Sequence, residues 1–174
     1  MISSAFPPAS LTDALRAHLT QPYALGRPIL IVCIGTDRST GDSFGPFTGS
    51  LLQSATSYPY IYGTLRHPIH SKNYLAETAP LYETFADPYI IAVDASLGMR
   101  DMIGSIRVRQ GSLRPAAAFS RDLPPIGDLA VTGIVGASGG SDYLTLQSTR
   151  LGLVAHMASQ LASALCASLP SDTI

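Results

Sequence analysis

Uninterrupted apolar runs alternate along the chain with segments whose apolar residues recur every three or four positions. Pro28 opens ILIVCIG, residues 29–35, an aliphatic and β-branched run without a polar break. A strand with one wet face would alternate, so this run predicts a central strand covered on both faces of a parallel sheet. YIYGTL (60–65) and DLAVTGIVGA (128–137) read as further strands, and YIIAVDASLG holds an apolar strand that ends at Asp94. In GSIRVRQGSL, residues 104–113, Ile106 and Val108 alternate with arginines, the signature of a half-exposed edge strand.

Between the strands the period changes to that of a helix. Leu11, Ala14, Leu15 and Leu19 share one face of LTDALRAHLTQ, with Ser10 placed as its N-cap. SFGPFTGSLLQSA predicts a second helix, whose Pro46 falls in the first turn, where amides have no internal partner. NYLAETAPLYETFA, residues 73–86, is helical in pattern, and Pro80 is expected to kink or divide it. From residue 141, SDYLTLQSTRLGLVAHMASQLASALCASL predicts one long amphipathic helix capped by Ser141 or Asp142. Residues 1–9 read as an irregular arm, and residues 111–128, with three prolines, as a long loop holding at most a turn of helix. This order predicts one α/β domain over residues 1–174: a three-layer α/β/α architecture around a mostly parallel, mixed sheet, with the Arg-bearing strand antiparallel.

Composition narrows the partners. Eleven basic against twelve acidic residues leave no positive excess to neutralise phosphates, so a nucleic-acid partner is not expected. With 46% hydrophobic and 13% charged residues the surface carries few charges, which favours a compact and self-associating globule, a homo-oligomer among the expectations. No apolar run approaches the about 20 residues that cross a bilayer, and no secretory signal opens the chain, so no membrane partner and a cytoplasmic location are expected. Cys33 and Cys166 make neither a disulfide framework nor a metal cluster by spacing.

Candidate chemistry gathers where strands end, because loops leaving the carboxyl ends of neighbouring strands meet at a crevice in open α/β sheets. GTDRSTGDSFGP, residues 35–46, brings Asp37, Arg38 and Asp42 there; Asp94 ends the apolar part of its strand; GASGGSD, residues 136–142, is the third polar stretch. If the first and third strands neighbour each other, Asp42 and Asp94 become a carboxylate pair. One could then activate water while the other, its pKa raised by burial and by its neighbour, donates a proton, as amide hydrolysis requires. The pair could instead hold a divalent cation, with His70 as a third ligand. Each aspartate alone also fits a cap or turn role. Asp37 and Arg38 are placed to pair within their loop. The glycine-rich stretch lacks both the Lys-Ser/Thr end of a phosphate loop and dinucleotide spacing. Arg100, Arg107, Arg109, Arg114 and Arg121 read either as a rim for an acidic protein substrate or as a solvated edge.

Five blocks, VCIGTDRSTGDSFGP, YGTLRHPIH, IIAVDASLG, LPPIGDLAVTGIV and LQSTRLGLVAHMA, resemble the sporulation-associated spore protease family of endospore-forming bacteria. The resemblance runs from about residue 28 to about residue 160. That family is similar in turn to the germination protease of spores and, more remotely, to hydrogenase maturation endopeptidases. It implies a phosphorylase/hydrolase-like fold and a peptidase acting on a small protein, spore proteins among the candidates, in the cytoplasm or forespore. It places the two catalytic aspartates on Asp42 and Asp94; Asp37, Arg38 and His70, on the loops beside them, are expected to bind substrate. The endopeptidases' nickel-binding histidine finds no counterpart at His70, so neither metal nor cofactor is expected. A chain about half the germination protease's length implies no propeptide control.

Overall fold

Five strands form one sheet in the order β2-β1-β3-β5-β4 in the computed structural model, which describes residues 10–115 and 123–170. These are β1 (Ile29–Cys33), β2 (Ile61–Tyr62), β3 (Tyr89–Gly98), β4 (Ile106–Gln110) and β5 (Leu129–Ala137). The β1–β2, β1–β3 and β3–β5 pairs are parallel, whereas β4 runs antiparallel to β5. Every residue of β1 is buried. Its alternate residues serve opposite faces: Ile29, Ile31 and Cys33 belong to one apolar cluster, Leu30, Val32 and Ile34 to the other. A run with no polar break is therefore what a doubly covered strand requires.

One face is covered by α1 (Leu11–Ala24), α2 (Phe44–Ala55) and α5 (Leu151–Ser168), the other by α3 (Tyr74–Thr84). The expected three layers are present. By length and composition α5 alone, among the described residues, could cross a bilayer. Eight of its eighteen residues are buried, however, including Val154, Met157, Leu161 and Leu165. Each such side chain contributes about 1.5–3 kcal/mol by leaving water, so core packing accounts for the helix's apolarity.

Five details depart from the pattern. The helix expected from residue 141 is two: α4 (Asp142–Ser148) and α5, separated by Thr149 and Arg150 in extended conformation. The apolar period continues through the break, but α4 packs on Gly41, where an added Cβ would press on Leu146 and Thr149. That contact turns α4 toward the loop after β1. Pro80 does not divide α3; the carbonyl it leaves without an amide, on Ala76, lies on the exposed side. Strand β3 continues past Asp94 to Gly98 with a register shift at Ser96/Leu97, and β2 shrinks to two residues. Leu113 and Ile126 pair in an antiparallel bridge, so the long loop is pinned at its base. The irregular arm, Arg121 and any helical turn within 116–122 lie outside the described residues.

Candidate active site

Parallel pairing of β1 with β3, Cys33 opposite Val93, brings both strands out of the sheet side by side. The Ile34 N–H donates to Val93 O at 2.7 Å, so the loop after β1 starts next to Asp94. Gly35 then turns the chain at φ +139°, its N–H donating to Ile69 O at 2.8 Å. An added Cβ there would overlap the Asp42 carbonyl, so only glycine lets the loop close. Closure is a hydrogen bond from Thr36 N–H to Asp42 O at 3.2 Å. Asp42 sits in a 3₁₀ turn, Gly41–Ser43, that runs directly into α2. Ser43 secures this turn: its hydroxyl donates to Thr40 O at 2.6 Å and its N–H to Ser39 O at 3.0 Å. Phe44, fully buried, lies over Gly133 of β5, where a side chain of any size would collide with its ring.

The second wall is the segment between β2 and α3. An isolated parallel bridge joins Ile34 to Ile69. The His70 N–H donates to Asn73 Oδ1 at 2.8 Å, and Asn73 Nδ2 donates to Pro68 O at 3.0 Å. The third wall is α4, whose Gln147 Nε2 donates to Arg38 O at 3.3 Å. Together these walls enclose a cleft of about 740 Å³, with Asp42 and Asp94 in its lining beside Arg38, His70 and Lys72.

Burial sets the protonation of the two carboxyls. Asp94, 8% exposed, is held well above the ordinary aspartate range, first by desolvation and then by the charge of Asp42. The Ala95 N–H, donating to Asp94 Oδ1 at 2.8 Å, opposes this only in part. Asp42 is pushed up to about 6 by burial, moderated by a hydrogen bond from the Thr36 backbone. Both carboxyls are thus biased toward the neutral form, Asp94 the more deeply buried of the two and burdened further by the charge of Asp42. A pair in which the charge of one carboxyl disfavours that of the other can divide into one base and one acid, the division of labour that acid–base hydrolysis needs.

Of the other predicted site residues, Arg38 and His70 line the cleft; Asp37 is exposed on the same loop and is not part of the lining. Asp37 and Arg38 form no ion pair; among the described residues the ion pairs join Arg27 to Asp87 and to Asp128, at the opposite end of the sheet. Arg107 and Arg109 are exposed on β4, and none of Arg100, Arg107, Arg109 and Arg114 reaches the cleft. His18 bonds Gln110 through Nδ1 at 2.9 Å, and His156 is exposed. Cys33 is buried, its thiol pushed up to about 12 by desolvation, which makes it inert. Sequence reasoning missed Ser39, Lys72, Tyr143 and Gln147; nothing in their local pattern separates them from ordinary loop or helix-surface residues.

Metal ligation is a poorer match to these side chains. Asp42, Asp94 and His70 share the cleft, yet among the described residues no three histidine, cysteine or acidic side chains stand together as a ligand set. No step is therefore built on a metal ion.

A family model described as "Protein of unknown function (DUF1256)" matches residues 7–164. The chain belongs to the DUF1256 family. One relative, the uncharacterised protein YyaC of Bacillus subtilis (strain 168), is 46% identical over 164 residues, covering 90% of this chain and 80% of its own length. Among solved structures, a [NiFe] hydrogenase maturation protease, HycI from Thermococcus kodakarensis KOD1, superimposes with a TM-score of 0.53 at 19% identity. That match covers 80% of this chain and 90% of HycI. At that identity the likeness establishes a shared fold, a mostly parallel α/β sheet of the kind a maturation protease uses.

Proposed function

We propose that this DUF1256 protein is a peptidase that hydrolyses a peptide bond in a small protein, with Asp42 as general base and Asp94 as general acid. The observation that carries the reading is a pair of carboxyls lining one cleft at the carboxyl ends of adjacent parallel strands, both raised by burial and Asp94 further by the charge of Asp42. The protease-like fold supports it.

In this mechanism Asp42 takes a proton from water as the water oxygen bonds to the carbonyl carbon, and Asp94 gives its proton to the carbonyl oxygen. The resulting gem-diol is neutral. Asp42 then passes its proton to the leaving nitrogen as the C–N bond breaks, and one diol hydroxyl returns a proton to Asp94. Water is consumed, both carboxyls are restored, and no other reactant is needed. Arg38 and Lys72 at the cleft wall suit the backbone carbonyls and acidic side chains of an extended substrate. The resemblance of the sequence blocks to spore proteases makes the sporulating cell the setting and small spore proteins the first substrates to test.

The test is cleavage of a purified mixture of small spore proteins, followed by mass spectrometry. Asp42→Asn and Asp94→Asn should each lower turnover by about 10²–10⁴-fold, the usual weight of one acid–base group. Wild-type protein that binds these substrates and cuts none of them would mark a binding module on a protease fold.

A further inference from the structure

His70 is the cleft residue whose chemistry its own backbone decides. The Lys72 N–H donates to His70 Nδ1 at 3.2 Å. A backbone N–H can only donate, so Nδ1 must offer a lone pair and the ring proton must sit on Nε2. The segment carrying the ring is tied down on both sides: His70 N–H to Asn73 Oδ1, Asn73 N–H to His70 O at 3.1 Å, and Gly35 N–H to Ile69 O. The last bond joins it to the residue that closes the Asp42 loop. Among the described residues Nε2 has no hydrogen-bond partner, although the half-buried ring lines the cleft. Ser39 Oγ also lacks a partner: it is buried in the wall that carries Asp42, on a residue 4% exposed that lines the same cleft. Buried hydroxyls are rarely left unmatched, so the orphaned Ser39 hydroxyl, in the cleft that also holds the carboxyl pair and the open Nε2, points to a polar ligand there.

We propose that His70 is a fixed Nε2–H donor to the carbonyl oxygen of a peptide bound in this cleft, and not a metal ligand or a proton acceptor. Ligating a cation through Nε2 would require the proton on Nδ1, facing the Lys72 N–H donor to donor. The same bond keeps the ring from serving as base, because the lone pair it offers is already in use. The ring instead stabilises the negative charge that builds on the carbonyl oxygen until Asp94 delivers its proton. This catalytic role rests on the peptidase reading; the donor assignment does not.

The two parts separate by experiment. Long-range ¹H–¹⁵N correlation spectra of the whole protein, with His70→Gln used to assign the ring, should show Nδ1 unprotonated and Nε2 protonated near neutral pH. Added zinc should leave both signals in place. An Nδ1–H tautomer, or zinc-dependent loss of the Nε2 proton, overturns the donor assignment whatever the activity. In cleavage assays His70→Ala should lower kcat by about 10²–10³-fold with a smaller change in KM, as for loss of one oxyanion donor, and His70→Gln should recover part of it through its amide N–H. Equal turnover by wild type and His70→Ala overturns the catalytic role. A wild-type protein that cuts nothing overturns the peptidase reading and the oxyanion role with it, while the spectra still decide the donor.

Discussion

Replacing Asp42 with asparagine should stabilise the protein at neutral pH while removing its activity. Burial raises the Asp42 carboxyl from its ordinary 3.8 to about 6. A group held above its unfolded value binds more protons folded than unfolded, so its ionised form disfavours folding. The rise is a little over two pH units, which at about 1.36 kcal/mol each comes to about 3 kcal/mol. Part of the side chain meets solvent, and screening brings the usable figure nearer about 2 kcal/mol. The sign follows from linkage: the penalty is full above about pH 6, shrinks as pH falls toward 3.8, and is gone below that. Asparagine carries no charge and leaves the Thr36 N–H bonded to the backbone carbonyl of residue 42, so it removes the penalty without removing that hydrogen bond. Urea titrations of wild type and Asp42→Asn, at about pH 8 and about pH 4, read the difference directly. The variant should be the more stable by about 2 kcal/mol at the higher pH and within about 0.5 kcal/mol of wild type at the lower. A variant less stable than wild type at about pH 8, or a difference that ignores pH, would refute the reasoning.

Other perturbations probe different parts of the account. Gly35→Ala forces a Cβ into the Asp42 carbonyl at a positive φ, and should cost about 1–3 kcal/mol and lower the Asp42 midpoint as the loop opens, seen by denaturation and carboxyl NMR. Leu161→Ala, in the core beneath α5, should cost about 2–5 kcal/mol and leave both carboxyl midpoints unchanged, which separates global stability from site electrostatics. For kcat/KM against pH, the acid limb should bend near 6, where Asp42 must ionise, and the alkaline limb should mark loss of the Asp94 proton; a flat profile through that region counts against the pair. Ser39→Ala should leave denaturation unchanged or slightly strengthened, since it removes a hydroxyl with no protein partner, yet weaken substrate binding. Clear destabilisation would mean that the hydroxyl has a structural partner.

The carboxyl pair could be read ahead of the structure because it depends on features that sequence carries strongly. Apolar runs such as ILIVCI and YIIAV mark doubly covered parallel strands, and in such a sheet side chains just past a strand's end converge on one edge. The antiparallel β4 was equally legible from Ile106 and Val108 alternating with arginines. What the pattern could not carry were contacts made between distant segments. The turn from α4 into α5 is imposed by packing on Gly41, although the apolar period runs straight through Thr149 and Arg150. The continuation of β3 past Asp94 comes from pairing with β5, not from the polar and small residues involved. The tautomer of His70 is fixed by an amide two residues away, and the unmatched hydroxyl of Ser39 by what fails to pack beside it. Neither leaves a trace in composition or spacing.

The central claim is that Asp42 and Asp94 act as one acid–base pair with unequal protonation, and titration of their carboxyl carbons by ¹³C NMR tests it most directly. Asp42 should change state near 6 while Asp94 remains protonated beyond that point, and Asp42→Asn should bring the Asp94 midpoint down by removing its charged neighbour. Two independent titrations at ordinary aspartate values, each indifferent to replacement of the other, would contradict it.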